Sequence, residues 1–366
     1  MTFSVQQDDA HGRYLVASQT MAPGDVVCEA VPLARTLQCD ALTARCMECW
    51  RGARLQRCSV CKWARFCSRS CLKRAWPYHR RECAAIQSAC VQHGATPNSF
   101  LVLLFRVISQ GNAAHLDTLS DNWDLVPTSR RSEYVVLAVL LLSMLRDCAM
   151  AHDFTIDALC RAFARLHVNV FTICTGELEP VGPAVYPAPL HLINHSCSPN
   201  SVVSFDLLTG KATCRAVVDI QPGDPITISY IDVVEHNARR RNILLAQYYF
   251  LCDCKTCVYE DAERERAVAL YQQCHYRYLT CLSKEDIVGA EQALSECEDA
   301  SEVLLAASPA HYGLFLMKLG KMRSYLERSG ASSCLQRACR LLAVAFGDHH
   351  ESTREAFRLL ENARDQ

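Results

Sequence analysis

Apolar spacing follows two different periods along this chain. Near the start, "GRYLVASQTMAPGDVVCEAV" (12–31) places β-branched and apolar residues in two short runs around Pro23-Gly24-Asp25. "TCRAVVDIQPGDPITISYI" (213–231) repeats the device around Pro222-Gly223-Asp224. Strong turn residues between strand-forming runs predict short strands joined as hairpins or close connections. Elsewhere the spacing is helical. "SFLVLLFRVIS" (99–109) and "EYVVLAVLLLSMLRDCAMA" (133–151) predict a helical insert over 85–165. Its longest apolar run, Tyr134 to Leu145, is twelve residues, too short to span a bilayer, and reads as a core helix. Beyond Val258, "AVALYQQCHYRYLTCL", "EQALSECEDASEVLLA" and "CLQRACRLLAVAFG" again carry apolar stripes at helical spacing.

One stretch does not fit either period. "LINHSCSPN" (192–200) gathers polar groups between apolar neighbours. Ser198-Pro199-Asn200 is turn chemistry, whereas Asn194 and His195 offer groups to a ligand and Cys197 offers a metal ligand.

Composition sets the scale. The 366 residues are half apolar and 21% charged, which suits a globular protein of two or three modules. Lys and Arg number 38 against 39 acids, but residues 45–82 hold eleven basic residues against two acids, while 258–366 hold thirteen against seventeen. That asymmetry reads either as a signal of an anionic or acidic partner or as basic residues that solvate a small metal-binding module. The N-terminus lacks a basic stretch followed by an apolar one, so no signal peptide or membrane association is expected. The 23 cysteines then read as thiols and metal ligands in a reducing compartment, cytoplasm or nucleus.

Two groups of cysteines have metal-ligand spacing. Cys46-x2-Cys49, Cys58-x2-Cys61, Cys67-x3-Cys71 and His79-x3-Cys83 form four donor pairs, enough for two tetrahedral zinc ions. The segment is too short and polar for a core, so metal binding must supply most of its folding energy. Cys252-x-Cys254-x2-Cys257 lacks a fourth donor nearby, and Cys197 is the candidate, making three structural zinc ions in all.

The order of the first four pairs resembles a MYND zinc finger, over Arg45 to Cys83. That resemblance implies interleaved sites: Cys46, Cys49, Cys67 and Cys71 hold one ion, and Cys58, Cys61, His79 and Cys83 the other. It also implies a module that binds proteins, often proline-rich peptides. Direct DNA binding through the basic finger is a third reading, and no base-reading motif supports it.

"LINHSCSPN", "ISY" and "YYFLCDCKTC", with the Pro-Gly-Asp runs and "NVFTIC" (169–174), resemble a SET domain with its post-SET zinc site. Combined with the finger, the chain resembles the SMYD family. The implied fold is α+β: a SET-type β core split by a MYND zinc finger and a helical insert, then a post-SET zinc site and an α-helical, tetratricopeptide-like C-terminal region. The segments would be 1–44 and 166–250 for the SET core, 45–84 for the finger, 85–165 for the insert, 251–258 for the post-SET segment and 259–366 for the tail. That tail is shorter than the family's usual one, so a more open substrate cleft is expected; its acidic residues read either as an inner face that attracts a basic peptide or as a solvated surface. The resemblance implies an S-adenosylmethionine-dependent protein-lysine N-methyltransferase acting as a monomer on histone or other protein lysines. His11, Gly12, Arg13, Asn194, His195 and Phe250 would hold the cofactor, Tyr230 would be the catalytic tyrosine, and Phe171 and Tyr248 would wall the lysine channel.

Two residues depart from the family pattern. Tyr14 stands where a second glycine is usual, and its side chain would narrow or block the cofactor pocket. Pro225 removes a backbone donor ahead of the catalytic strand. The alternative reading is therefore a catalytically inactive adaptor that binds partners through the finger and tail.

Overall fold

The computed structural model describes residues 2–9, 11–91, 94, 96–151, 153–259 and 261–364. Strands β1 (Phe3–Asp8), β2 (Gly12–Ala17), β3 (Val26–Ala30), β4 (Ala34–Arg35), β5 (Gln56–Arg57) and β6 (Arg65–Phe66) open the chain. Helices α1 (Arg69–Ala89), α2 (Ser99–Ser109), α3 (Ala113–Leu116), α4 (Thr128–Asp147) and α5 (Ile156–Asn169) follow. The chain returns to strand as β7 (Phe171–Cys174), β8 (Pro180–Val185), β9 (Asn194–His195), β10 (Ser201–Phe205), β11 (Ala212–Ala216) and β12 (Thr227–Ile228). Helices α6 (Asn237–Tyr248) and α7 (Lys255–Val258) lead to the tail, α8 (Ala262–Ser283), α9 (Ile287–Glu296), α10 (Glu298–Leu305), α11 (Pro309–Tyr325), α12 (Ala331–Phe346) and α13 (Glu351–Arg364). The architecture is α+β: small sheets with a helical insert on one side and a helical tail.

The Pro-Gly-Asp turns do not make hairpins. β2 pairs with β1, a largely exposed strand whose polar sequence gave little signal, and β3 pairs with β11. The two turns instead lock against each other. Met21 and Ile220 exchange both backbone hydrogen bonds at 2.9 Å, and the Gly223 N–H donates to Ala17 O at 2.9 Å. Each turn is closed alike, Asp25 accepting from the Ala22 N–H and Asp224 from the Gln221 N–H. Gly24 and Gly223 sit at φ 95° and 94°, where a side chain would be strained. Pairing across the core, and not turn chemistry, decided which strands met.

The insert packs around α2. Every residue from Leu101 to Ser109 is buried, as expected for a helix that is apolar all round. α4 behaves differently from the core helix expected of its apolar run. Tyr134, Ala138, Leu141, Met144 and Leu145 are buried, but Val135, Val136 and Val139 are 45%, 61% and 53% exposed. Run length alone does not distinguish the two faces of a helix. No described helix is long and apolar enough to cross a membrane.

α2 contains one charge, Arg106, and it is buried. Its Nε donates to Glu82 Oε2 and its Nη2 to Glu82 Oε1, both at 2.7 Å, while Nη1 reaches the Arg35 carbonyl at 2.6 Å. Its guanidinium also lies 4.4 Å from the centre of the Tyr78 ring. Burial works to raise the Glu82 carboxyl, but Arg106 and His79 together outweigh it and hold the group below its ordinary range. The insert, β4 and the cysteine-rich segment thus share one fully buried ion pair. Replacing Arg106→Met leaves the Glu82 charge with too few partners and should cost about 3–5 kcal/mol. The expected result is a lower urea unfolding midpoint, largely recovered in the double variant with Glu82→Gln. An unchanged midpoint in the single variant would show that the pair holds nothing together.

Candidate active site and metal clusters

Three groups of four donors come together, each with its ligand atoms within 4.8 Å of one another: Cys46, Cys49, Cys67 and Cys71; Cys58, Cys61, His79 and Cys83; and Cys197, Cys252, Cys254 and Cys257. α1 contributes to both of the first two, through Cys71 and through His79 and Cys83. Its N-cap, Ser68, accepts from the Cys71 N–H, so the helix starts at the ligand. A zinc ion with Zn–S bonds of about 2.3 Å would set neighbouring sulfurs roughly 3.8 Å apart. Sulfur pairs stand at 3.7 Å for Cys49 and Cys67, 3.7 Å for Cys58 and Cys83, and 3.5 Å for Cys197 and Cys257. The donor sets therefore fit tetrahedral zinc in number, type and spacing. In the second cluster Glu82 Oε1 lies 3.1 Å from His79 Nδ1, leaving Nε2 facing Cys61 Sγ at 3.9 Å. A carboxylate behind the ring is the usual way of aiming a histidine at a metal.

A cavity of about 450 Å³ lies beside the third cluster, within the range of cofactor sites. His11 comes from the β1–β2 turn, Gly12 and Arg13 from the start of β2, Asn194 and His195 from β9, Tyr248 from the end of α6, and Tyr230 and Phe250 from the segments flanking α6; all eight line it. The parallel pairing of β12 with β9 sets Thr227 opposite Asn194 and Ile228 opposite His195. The Asn194 side-chain amide donates to the His11 carbonyl at 2.8 Å, tying the turn to the cavity wall. α6 ends at Tyr249 with φ 64°, and this left-handed residue swings Phe250 to the cavity and Cys252 to the thiol cluster.

His195 connects the cavity to the metal cluster. Its Nδ1 accepts from the Tyr230 N–H at 3.0 Å, so the ring proton resides on Nε2, which lies 3.3 Å from Cys197 Sγ. Burial pushes this ring down to about 4, consistent with a neutral imidazole. The Tyr230 hydroxyl donates to the Ile193 carbonyl at 2.7 Å. Burial, and secondarily Tyr248, hold that hydroxyl well above its ordinary value. Tyr230 and Tyr248 meet at 4.9 Å between ring centres, and the Tyr248 hydroxyl donates to the Tyr230 carbonyl at 3.3 Å.

The two departures are accommodated. Tyr14 does not enter the cavity: its ring packs beside His11 at 5.9 Å and its hydroxyl reaches Gln6 at 3.4 Å on the outer hairpin. Strand alternation directs it away while Arg13 lines the cavity and donates to the Thr118 carbonyl. Pro225 faces Val16 as an isolated bridge. The flanking bonds, Ala17 N–H to Asp224 O and Ile226 N–H to Leu15 O, are both made at 2.9 Å. The strand pairing needs no donor at 225, so proline costs nothing there.

Phe171 is the sequence-predicted site residue that does not line the cavity. It starts β7 and packs edge-on against Tyr186 at 5.5 Å. Conversely, Asn122, Asn169, His191 and Tyr249 line the cavity without having been singled out. Asn122, at φ 49°, donates to the Tyr248 carbonyl, and Asn169 donates to the Ser120 and Arg165 carbonyls. His191 Nε2 is buried and lacks a protein partner, leaving a polar atom for a ligand. Asn169, which opens "NVFTIC", and Tyr249, in "YYFLCDCKTC", stood inside stretches already noticed.

A SET domain model matches residues 12–231. Histone-lysine N-methyltransferase SMYD3 of Mus musculus is 33% identical over 267 residues, covering 69% of this chain and 61% of that protein. N-lysine methyltransferase SMYD2-B of Danio rerio is 31% identical over 255 residues, covering 67% and 58%, and histone-lysine N-methyltransferase ASHR1 of Arabidopsis thaliana 29% over 256 residues, covering 67% and 53%. The chain thus spans about three fifths, or somewhat less, of the length of these curated relatives. With the SET match running through both halves of the β core and across the cysteine-rich segment and insert between them, the chain belongs to the SET-domain family and to its SMYD group.

Proposed function

We propose that this chain is an S-adenosylmethionine-dependent protein-lysine N-methyltransferase acting on lysines of histones or other proteins. The observation that carries this reading is the single cavity shared by Asn194, His195, Tyr230, Tyr248 and Phe250. When bound, S-adenosylmethionine supplies an electrophilic methyl group. Phe250 offers a face for its adenine, while Asn194, His195 and the Gly12 turn offer polar groups to its remainder. The two tyrosine rings form a wall that admits a cation and excludes water.

The lysine must arrive neutral. With a pKa near 10.4, removing its proton at neutral pH costs about 4 kcal/mol, which desolvation between the aromatic walls reduces. Tyr230 does not take that proton as a phenolate, since burial opposes its ionisation. Its hydroxyl proton is committed to Ile193 O, which leaves the oxygen lone pairs free to accept from the amine and position it. Rate then comes from alignment. With Tyr14 outside the cavity, the adaptor reading loses its main support.

The three thiol-rich clusters hold structural zinc in this reading. The segment 45–84 acts as a MYND-type finger for a protein partner such as a proline-rich peptide, and Val60 and Trp76, 49% and 48% exposed, give it apolar contact surface.

Calorimetric titration of the zinc-loaded chain with S-adenosylmethionine should give micromolar binding, weakened at least about tenfold by Asn194→Ala, which removes a hydrogen-bonding group worth roughly 1–3 kcal/mol. No binding by folded, metal-loaded protein would sink the enzyme reading and leave the adaptor. Tyr230→Phe should keep that affinity yet lower kcat by about 10²-fold, the scale for losing one positioned group; equal kcat would remove Tyr230 from the chemistry. Metal analysis should find three zinc ions per chain, and two or fewer in folded protein would contradict the three-cluster reading.

A further inference from the structure

Among the helix α6 residues, Arg240 and Leu244 are the buried pair, both 0% exposed. They are one turn apart and so share a face. Leu244 shares one buried apolar cluster with Cys197, Cys252 and Cys257, which places Arg240 on the face turned to the thiols. The guanidinium confirms that direction. Its Nη2 donates at 3.3 Å to the carbonyl of Thr256, between the ligands Cys254 and Cys257, and its Nη1 donates to the Glu235 carbonyl. Nε is buried without a partner. No described carboxylate forms an ion pair with this cation: Glu235 binds Arg239, and Glu265, which binds His236 and the Asn237 N–H, feels the guanidinium only through space.

A buried guanidinium hydrogen-bonded only to carbonyls is costly unless negative charge compensates it. Four thiolates around a divalent zinc carry two surplus negative charges, and burial makes those equally costly. The other all-cysteine cluster has an arginine in direct contact, Arg74 Nη2 donating to Cys71 Sγ at 3.0 Å. The cluster containing His79 has one thiolate fewer and no such contact; its neighbouring Arg106 is neutralised by Glu82.

We propose that Arg240 is the internal counter-charge of the Cys197–Cys252–Cys254–Cys257 zinc site, setting its metal affinity through charge while its hydrogen bond to Thr256 orients the ligand loop. Arg264, with a buried Nε lacking a partner and its Nη2 on the Val233 carbonyl at 2.7 Å, supplies a second positive charge that interacts with Cys197. Arg240 touches neither cofactor nor substrate, so it is a positioning residue. This inference rests on the reading that the third cluster binds zinc.

The test uses the full chain loaded with zinc, titrated with the chromophoric chelator 4-(2-pyridylazo)resorcinol, with native mass spectrometry counting the ions retained. Cys252→Ala supplies the two-zinc reference. Arg240→Gln and Arg240→Met should release the third ion about 10- to 100-fold more readily, the usual scale for groups supporting metal ligands, while the first two ions are unaffected. Arg240→Lys, which keeps the charge but loses the planar fork, should remain within about threefold of the parent. Equal weakening by Lys, Gln and Met would assign the effect to shape and overturn the proposal. Parent-like retention by Gln and Met would overturn it as well. A parent chain holding only two ions would defeat the zinc reading itself, and this inference with it.

Discussion

The geometry of the cavity depends on one imidazole with two fixed partners. His195 accepts the Tyr230 N–H at Nδ1 and turns Nε2 to Cys197 Sγ, so the ring cannot rotate without losing both. Its neighbours in the sequence are fixed separately. Asn194 holds the β1–β2 turn through the His11 carbonyl, and Ser196 N–H donates to Ile228 O at 2.9 Å. The ring also sits between the Tyr230 and Phe250 rings, at 5.4 and 6.0 Å. The thiol cluster and the cavity are thus joined through the two ends of one side chain. Loss of order at the cluster would free an N–H at Tyr230 that has no other acceptor, a cost of about 1–3 kcal/mol.

The same economy joins the cysteine-rich segment to the β core. Its own strands, β5 and β6, are two residues each, far too little for independent stability. Yet Cys46, Met47, Trp50 and Ala75 belong to one apolar cluster with Leu15, Ile173 and Ile228. Arg35 seals the junction: it lies 4.7 Å above the Trp50 ring and donates to the Glu48, Leu207 and Leu208 carbonyls. Together with Arg106 it makes the segment part of the core's packing. The tail docks similarly, Ser352 Oγ donating to the Gly176 carbonyl at 2.6 Å, a contact so close that a Cβ at Gly176 would meet Ser352 Oγ at 2.4 Å.

Local spacing made the ligand pairs, the turns and most helices legible, because each depends on residues a few positions apart. Cys197 was legible for a different reason: three thiols at 252–257 left a coordination number incomplete. What sequence concealed depends on contacts between distant segments. Nothing near Pro225 reveals that its missing donor falls where the pairing with Val16 requires none, and nothing near Tyr14 reveals which side of β2 faces the cavity. The exposed β1 carries too few apolar residues to announce a strand. Asn200, read as part of a turn, proves to be a brace, its amide bonding the Pro225 carbonyl and its Oδ1 accepting the Thr227 N–H, both at 2.8 Å. Asn122 and His191 gain their places in the cavity only through tertiary packing.

The basic surplus of residues 45–82 also changes meaning once the clusters are assembled. Counted as neutral thiols, the cysteines leave that segment strongly positive and suggest an anionic partner. Loaded with metal, an all-cysteine cluster carries roughly two negative charges and a three-cysteine cluster one, so part of the surplus is internal compensation. Several of these arginines are in fact occupied within the molecule: Arg74 on Cys71 Sγ and Glu48, Arg45 on the Trp50 carbonyl, and Arg81 on the Ser109 carbonyl. None of these contacts requires a nucleic acid to explain it. Charge in a segment with metal-ligand clusters has to be counted together with the metal those clusters would hold, and so counted, the segment's arginines serve its own structure as well as its surface.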